Sequence, residues 1–523
     1  MTKREENYKW KVLGIVMIGT LMSALDSSIV NVSIPAIMAD FGSGLDDIEW
    51  VVTSYMLAFA ALMPLTSWLR DRVGHKWLYT ASLVVFTVGS LLCGIAWNLP
   101  TLILARVIQA IGGGAITPTG MAMISETFEP HERGKALGFW GMGAVMGPAF
   151  GPTIGGFLTK SFGWPSIFLV NLPIGIIGVA LALNILINDR PPHKNHKSFD
   201  GVGFAFFTIF LVSFLLGLSK GESEGWASPY IVTCAILSIV GFAGFLVVES
   251  VVDNKIIKLS LLRNPVFATC FVFRTVMTLS IYGGSFLLPV FLQNFKGLDE
   301  VQCGLILLPG SLLMGILMPV GGKLGDKLSP RIVISLGFFF LGLFFFQYRI
   351  ISTETSNWEI IMPTLLRGIG VAMLSAPLTA MAMNAVSNAE AGMASSMLNI
   401  VQQVGGSVGI AILSSILHRR TKYHLNILGT NLATSSDSYQ KAFRQLLARA
   451  HEVGYNHLDS FRVAAQTLGG SIFKQAGVFA FQDSFLVAAL ITFSVLLGIF
   501  ALPAKPAIHR KKSAAEVEAV HVE

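Results

Sequence analysis

Asp26 is the residue whose position in this sequence most strongly suggests chemistry. It lies in the middle of an apolar run, Val12–Pro35, and is the only carboxylate deep inside an apolar segment of the sequence. A carboxylate in hydrocarbon is costly unless it is paired, protonated or hydrated. Asp26 therefore predicts proton handling, cation binding, or both.

Three arginines also interrupt apolar segments, namely Arg106, Arg274 and Arg367. A carboxylate near a movable arginine loses its proton more readily while paired and regains it when the partner leaves. Asp26 and Arg106 are therefore the predicted proton-coupling residues. Three arginines against one aspartate also predict a cavity that tolerates anions, because an unpaired buried cation is costly. For Arg274, the alternative is a guanidinium that snorkels to lipid phosphate.

Further polar and aromatic residues could contact a substrate. Gln109 lies one helical turn beyond Arg106, where it could bond Asp26 or a substrate, or only hold helices together. Tyr55, Tyr282 and Gln402 could line an amphipathic pocket, although core packing is the alternative for the tyrosines. The predicted substrate-binding residues are Asp26, Tyr55, Gln109, Arg274, Tyr282, Arg367 and Gln402.

The elements that position these residues are predicted to be membrane-spanning helices. Of the 523 residues, 53% are hydrophobic and 13% are charged, with a mean hydropathy of +0.66, whereas a soluble domain is about a quarter charged. Apolar segments of about 20 residues, enough to cross a bilayer, recur along the whole chain, which predicts an all-α membrane protein. The fourteen predicted segments are 11–34, 49–69, 77–97, 100–122, 136–158, 165–187, 201–219, 228–249, 266–291, 302–322, 331–350, 359–384, 394–417 and 479–501.

Basic residues predict the orientation of these segments. If the N-terminus is cytoplasmic, most lysines and arginines fall on the cytoplasmic side, and the short outer loops hold only Lys160, Lys220, Lys296 and Arg349. This asymmetry follows the positive-inside rule and places both termini in the cytoplasm. The net charge of +7 is then a consequence of topology and does not indicate nucleic-acid binding. The four cysteines show no metal-ligand spacing, so neither a metal nor another cofactor is predicted.

This topology brings Asp26 and Arg106 to similar heights. At 1.5 Å per residue, Asp26 lies roughly 20 Å from the cytoplasmic face and Arg106 roughly 10 Å from the outer face. In a hydrocarbon core of about 30 Å, the two side chains can form a charge pair. A static pair that fixes helix packing is the alternative. We favour a functional pair because the repeat described next keeps Arg367 but has no carboxylate at the counterpart of Asp26.

Two internal repeats indicate a duplicated architecture. Residues 69–76 and 324–331 both place an acid and bases in a tight turn, and Arg106 and Arg367 are each followed by a glycine-rich run, a proline and Met-Ala-Met. Each pair is eight segments apart, which predicts two six-helix halves with two inserted helices, an arrangement typical of secondary transporters. The predicted divisions are 1–190, 191–264 and 265–503, with a long outer loop at 418–478 and a flexible cytoplasmic tail at 504–523.

Several of these stretches resemble signatures of the major facilitator superfamily. The departures, Ser67 and Ala110 where the family usually has glycine, are both small. The resemblance implies the major facilitator fold and proton-coupled drug efflux by alternating access. The matching stretches are 70–76 for the loop 2–3 signature, 106–112 for segment 4, 143–156 for the segment 5 antiporter signature, and 25–35 for segment 1 of the fourteen-spanner drug:proton antiporters.

Conformational gating is expected at two places. Glycines that recur every fourth residue along segment 5 give a smooth stripe for close helix approach, which we assign to the interface between two rocking halves. Two prolines in the same segment should bend the helix. The resemblance also implies that Asp71, with Arg72, contacts the other half at a helix end, as Asp326 would in the repeat; an ordinary solvated turn is the alternative. The predicted gating residues are Asp71, Arg72, Gly143, Gly147, Pro148, Gly151, Pro152 and Asp326.

The long outer loop carries a narrower resemblance. The pattern from Tyr439 through Gln475 to Asp483 and Phe485 is similar to the EmrB-type branch of Gram-negative bacteria, whose members work with a periplasmic adaptor and an outer-membrane channel. Within the loop, residues 439–452 predict a short amphipathic helix.

Together these features predict a transporter in the bacterial inner membrane that exchanges protons for amphiphilic compounds. The partners expected are small amphiphilic substrates, protons and the lipid bilayer, with an adaptor and outer channel in addition. A metabolite or siderophore exporter on the same scaffold is the second interpretation. A membrane-embedded enzyme or lipid-handling protein is the third, but no histidine lies in the middle of any predicted segment.

Overall fold

The computed structural model describes residues 3–188, 199–252, 255–431 and 437–502. The described residues form helices and contain no strand. The predicted tail, 504–523, lies outside them. The α-helices are α1 Lys3–Phe41, α2 Leu45–Leu62, α3 Leu65–Gly94, α4 Leu99–Thr127, α5 Arg133–Phe162, α6 Ser166–Leu169, α7 Asn171–Ile185, α8 Gly201–Glu224, α9 Pro229–Val251, α10 Pro265–Asn294, α11 Glu300–Lys327, α12 Pro330–Gln347, α13 Asn357–Asn384, α14 Ala391–Asn431, α15 Asp437–Glu452 and α16 His457–Ser494.

The prediction of an all-α membrane protein is confirmed. Twelve helices of the described residues are long and apolar enough to cross a membrane, which is compatible with the fourteen predicted segments. The other two segments fall on α2 and α5, which are 18 and 30 residues long. Their composition is less apolar because α2 begins with an acidic cluster and α5 is rich in glycine.

Gly74 divides α3 into two parts. Its φ of +81° is non-helical, a conformation that glycine adopts without steric cost. Residues 65–73 therefore continue the second predicted segment, and residues 75–94 form the third. The tight turn predicted at 69–76 is centred on this glycine.

The helices pack as two groups with a bridge between them. In the first group α1 packs on α5, and α2 and α3 pack on α4; in the second, α11 and α12 pack on α13, and α10 and α16 pack on α14. The helices α8 and α9 pack on each other, and α8 also contacts α2 and α14. The inserted pair thus touches both groups, called here the first and second halves.

Both ends of the described chain lie on one face of the bundle, called here the terminal face. Lys9 pairs with Glu132 just before α5, at 2.5 Å. Arg331, at the start of α12, donates to the carbonyl oxygen of Leu502. The starts of α5 and α12 and the two chain ends therefore share this face.

The segment predicted as a long outer loop is largely helical. Helix α14 continues to Asn431 and α16 begins at His457. Asp483 of α16 accepts hydrogen bonds from Arg420 Nε at 2.6 Å and His424 Nε2 at 2.7 Å, both on α14. This pairing joins α14 to α16. The amphipathic helix predicted at 439–452 is confirmed as α15, which starts two residues earlier.

The glycine stripe of α5 lies against α1 of the same half. A Cβ added to Gly147 would lie 2.5 Å from the carbonyl carbon of Ala24, and one added to Gly151 would lie 2.5 Å from Ser28 Oγ. Gly155 similarly faces Ile29. The prediction that this stripe forms the interface between the halves is therefore wrong for this structure, because the close approach it allows is used inside the first half.

Other glycines of α5 pack against the second half. A Cβ on Gly134 or Gly138 would collide with the backbone of α11. The side chains of Pro148 and Pro152 lie outside the described part of the structure, so their predicted role stays a prediction.

Gly147 and Gly143 offer a matched test of this packing. We expect Gly147→Ala to lower the stability of the first half by about 1–3 kcal/mol, because the new methyl meets backbone atoms. Gly143→Ala should have little effect, since the nearest atom to its Cβ is Met17 O at 3.6 Å. Thermal unfolding of the two purified variants checks this; equal melting temperatures would contradict the packing described.

Candidate functional site

An ion pair between Asp26 and Arg106 lies at the centre of the first half. Arg106 Nη1 is 2.6 Å from Asp26 Oδ2, and the two side chains are 1% and 0% exposed. The prediction that α1 and α4 bring these residues to one height is confirmed. Breaking such a buried pair by removing one partner costs about 3–5 kcal/mol, because the remaining charge is uncompensated.

Two amide groups complete the hydrogen bonding of the carboxylate, and a serine hydroxyl holds both amides. Gln109 Nε2 donates to Asp26 Oδ1 at 2.7 Å, and Gln109 Oε1 accepts from Arg106 Nη1 at 2.6 Å. Asn171 Nδ2 also donates to Asp26 Oδ1, at 2.9 Å. Ser90 Oγ accepts from Gln109 Nε2 at 2.7 Å and from Asn171 Nδ2 at 3.3 Å. The predicted contact of Gln109 with Asp26 is confirmed.

Ser90 and Asn171 were missed by the sequence interpretation. Both are polar residues inside apolar segments, and this was the available signal. Serine and asparagine side chains commonly bond between membrane helices, so sequence alone did not distinguish them from ordinary packing residues. The structure shows that Asn171 of α7 donates to Asp26 directly, and that Ser90 of α3 accepts from the two amides that hold the carboxylate.

Arg106 has additional partners besides the carboxylate. Its guanidinium carbon lies 4.0 Å from the centre of the Tyr55 ring, within the range of a cation–π contact. Its Nε donates to the carbonyl oxygen of Val51 at 3.2 Å. Tyr55, predicted to contact substrate, thus contacts Arg106 directly. Its hydroxyl is buried without a hydrogen-bond partner among the described residues.

A close approach of α3 and α4 makes this network possible. A Cβ on Gly89 would lie 2.5 Å from the Cα of Gln109. Any larger residue at position 89 would push α4 away and withdraw Gln109 from Asp26. The close backbone contact at Gly89 therefore helps to keep Gln109 within hydrogen-bond distance of the Asp26 carboxylate.

The second half buries an arginine without an acidic partner. Arg274 is 2% exposed and donates to Leu398 O at 3.0 Å, Thr379 Oγ1 at 2.7 Å and Gln402 Oε1 at 2.6 Å. No ion pair involves it among the described residues. These contacts exclude the snorkelling alternative, because the guanidinium points at α13 and α14 inside the bundle.

The other predicted residues of the second half fall into two groups. Gln402 lies beside Tyr282, with Nε2 and the hydroxyl oxygen 3.5 Å apart, so both join the Arg274 cluster. Arg367 instead donates to Ser285 at 2.5 Å and lies 5.9 Å from the ring centre of Phe344. The structure does not place Arg367 in contact with Arg274.

Hydrogen bonds between the halves cluster near the terminal face. Asp326 Oδ1 accepts from the backbone nitrogen of Gly134 at 3.0 Å, and Oδ2 accepts from that of Lys135 at 2.8 Å. The carboxylate thus caps the N-terminus of α5, where the helix dipole favours negative charge. Arg133 Nη1 donates to Asn384 Oδ1 at 2.8 Å across the same boundary. These contacts close the terminal face.

The two predicted latch acids behave differently. Asp326 makes the contact expected of such an acid, to a helix end of the other half. Asp71 is 60% exposed and pairs with its neighbour Arg70 at 2.6 Å. Arg72 lies over the Trp68 ring at 5.3 Å. The neighbouring Arg70 does approach the second half, since its guanidinium lies against Gly392 of α14, and it also donates to Glu126 Oε1 at 3.2 Å within the first half.

Comparison with known proteins places these features in context. The family model described as Major Facilitator Superfamily matches residues 16–410. The riboflavin transporter RibZ of Clostridioides difficile is 32% identical over 416 residues, covering 80% of this chain and 90% of that protein. The multidrug export protein EmrB of Haemophilus influenzae is 29% identical over 490 residues, covering 93% and 94%.

A solved structure agrees with the fold. The human organic anion transporter MFSD10 superposes with a TM-score of 0.59 over 92% of this chain and 99% of that chain, at 11% sequence identity. At this identity the likeness concerns the fold alone.

Asp326 and Asp71 provide a matched pair of tests for the latch. We expect Asp326→Asn to weaken closure of the terminal face by about 1–3 kcal/mol, since the negative charge at the α5 N-terminus is lost. Asp71→Asn should change closure little. Spin labels at Trp77→Cys and Ile332→Cys would report the separation of the halves at this face, and the four native cysteines are buried. A larger opening in Asp71→Asn than in Asp326→Asn would contradict the assignment.

Proposed function

The chain belongs to the major facilitator superfamily, and from this we propose that it is a proton-coupled exporter of amphiphilic compounds. Its relatives of similar length include multidrug export proteins. The observation that carries the proposal is the buried Asp26–Arg106 pair, which holds a carboxylate in the interior of a membrane protein.

Proton coupling is supported by the partners that Arg106 has besides Asp26. When a proton neutralises Asp26, the attraction to Arg106 is lost, but the guanidinium keeps Val51 O, Gln109 Oε1 and the Tyr55 ring. The charged arginine is therefore not stranded, which lowers the cost of opening the pair. Substrate would bind at the ionised Asp26 beside the amides of Gln109 and Asn171, so proton and substrate compete for the Asp26 carboxylate.

Alternating access is supported by the distribution of contacts between the halves. If the terminal face is cytoplasmic, as the basic residues predict, this conformation is closed to the cytoplasm. The Asp326 cap and the Arg133 contacts must then break for substrate loading. Asp326, one of the residues predicted to gate, makes such a contact, and we propose that Arg70 and Arg133 gate with it in place of Asp71 and Arg72.

The buried positive charge of Arg274 in the second half supports an anionic or weakly acidic amphiphile as substrate. Arg274 is buried with neutral acceptors alone among the described residues, and burying a cation without a counter-ion is costly. A substrate carboxylate or phenolate would supply that counter-ion. Tyr282, which is 39% exposed, offers an aromatic surface beside the guanidinium.

A specific metabolite is the second candidate substrate class. The similarity to a riboflavin transporter supports transport of a specific metabolite on this scaffold. A broad compound panel, tested on deletion and overexpression strains, separates the two candidates, because a multidrug exporter changes resistance to several unrelated compounds.

The helical extension formed by the end of α14, by α15 and by the start of α16 is the proposed contact for a periplasmic adaptor. It carries exposed apolar residues, including Leu458 at 61% and Phe461 at 52%. With cytoplasmic termini, this extension projects into the periplasm of a bacterial inner-membrane protein. Co-purification with the adaptor before and after substitution of Phe461 would test the contact.

Asp26→Asn tests proton coupling. We expect this variant to insert and fold, because asparagine keeps the size of aspartate and one acceptor oxygen while Arg106 keeps Val51 O, Gln109 Oε1 and the Tyr55 ring. It should lose substrate efflux driven by an imposed pH gradient in vesicles. The matched control is Asp40→Asn on the same helix, whose carboxylate accepts only from Trp164 among the described residues and which should retain transport. Wild-type efflux by Asp26→Asn would show that the role assigned to Asp26 is wrong.

Arg274→Ala tests substrate charge. We expect wild-type protein to transport an organic anion better than a dication of similar size, and Arg274→Ala to reduce anion transport by about tenfold, equivalent to ~1.4 kcal/mol of lost binding. The control is Arg349→Ala, because Arg349 is an exposed arginine. Preference for the dication, unchanged in Arg274→Ala, would overturn the anionic assignment.

A further inference from the structure

A small pocket lies at the terminal face of the inserted helices, away from the substrate site. Its volume is about 280 Å³, and it lies between the end of α9 and the 3₁₀ segment Leu259–Arg263. The polar residues that line it are Glu249, Ser250, Lys255, Ser260 and Arg263. None of these residues takes part in the transport chemistry described above.

The charges in this pocket are of both signs. Lys255 and Arg263 are exposed and form no ion pair among the described residues, which exclude 253–254. Glu249 is 3% exposed; its Oε1 accepts from the backbone nitrogen of Ile257 at 3.1 Å, and its Oε2 has no partner among the described residues. The pocket thus offers two cations for an anion and one carboxylate oxygen for a donor.

Apolar surface continues directly from the pocket. Leu246 and Leu259 line it and are 39% and 37% exposed. Next to them on α9, Val247 and Val251 are 64% and 79% exposed. In a membrane-spanning helix such residues face lipid chains, so a ligand bound here would have its polar part in the pocket and its apolar part along α9.

We infer that this pocket binds the head group of an aminophospholipid. Lys255 and Arg263 would hold the phosphate through charge-assisted hydrogen bonds, and the hydroxyl of Ser260 would add a donor. The ammonium group would donate to Glu249 Oε2, which phosphatidylcholine cannot do because its nitrogen has no hydrogen. Phosphatidylglycerol would satisfy the cations and leave Glu249 unpaired.

A lipid in this pocket would lie beside the inserted helices α8 and α9, which bridge the two halves. Helix α8 packs on α9 and contacts both α2 and α14. A lipid held at the end of α9 would therefore anchor the helix pair that touches both halves among the described residues. The inference does not depend on which substrate is exported.

Native mass spectrometry of the purified full chain tests the inference. The protein is incubated with equal amounts of phosphatidylethanolamine, phosphatidylglycerol and phosphatidylcholine of the same acyl chains. Wild-type protein should retain phosphatidylethanolamine several-fold over the other two. The double variant Lys255→Ala/Arg263→Ala should lose most of this retention, and the control Lys323→Ala/Lys327→Ala, with exposed lysines of the same face, should keep it.

The Glu249→Gln variant separates head-group recognition from general attraction to phosphate. It should bind phosphatidylethanolamine and phosphatidylglycerol equally, because the negative partner of the ammonium is lost. Soluble phosphoethanolamine and inorganic phosphate, added in excess to the wild-type protein, should not displace the lipid. Displacement by inorganic phosphate would identify a soluble-phosphate site, and equal lipid retention by wild type and the Lys255/Arg263 variant would show that no head-group site exists; either result overturns the inference.

Discussion

The ion pair between Asp26 and Arg106 is the constraint on which the first half depends. A carboxylate and a guanidinium, both removed from water, must stay within hydrogen-bond distance, here 2.6 Å, or one charge is left uncompensated. Five helices contribute to meeting this condition, through Asp26, Tyr55, Ser90, Arg106 with Gln109, and Asn171. Glycines at the helix contacts, such as Gly89 and Gly147, bring the backbones close enough for these short side chains to meet.

The two halves differ in the partners of their arginines. In the first half, Arg106 is paired with an acid; in the second, its repeat counterpart Arg367 donates to Ser285, and the buried Arg274 donates to amide, hydroxyl and carbonyl acceptors. A protein built from repeats could use the same pair twice if the pair served only packing. The asymmetry supports a division of labour in which the first half handles the proton and the second attracts the charge of the substrate.

Much of this architecture was predictable, because the bilayer restricts what a chain can do. Asp26, Arg106 and Gln109 stand out in an apolar sequence, and helix rise alone placed the first two at one height. The Gly74 turn and α15 were also predictable from the local sequence pattern.

The sequence did not predict which helices contact each other. The sequence does not show which side of α5 faces α1 and which faces α11, so Gly147 was assigned to the wrong contact. It also does not show that Asp71 turns to solvent while its repeat, Asp326, reaches a helix N-terminus. Ser90 and Asn171 were missed because single polar residues in membrane helices most often serve packing.

Substrate-induced proton release is the most direct test of the central claim that proton and substrate compete at Asp26. Purified protein in weakly buffered detergent solution, with a pH indicator, would be mixed with a transported compound. Wild-type protein should release protons on binding, with a dependence on starting pH, and Asp26→Asn should bind the compound without release. Proton release of equal size from Asp26→Asn would contradict the account, because the exchanged proton would then reside elsewhere.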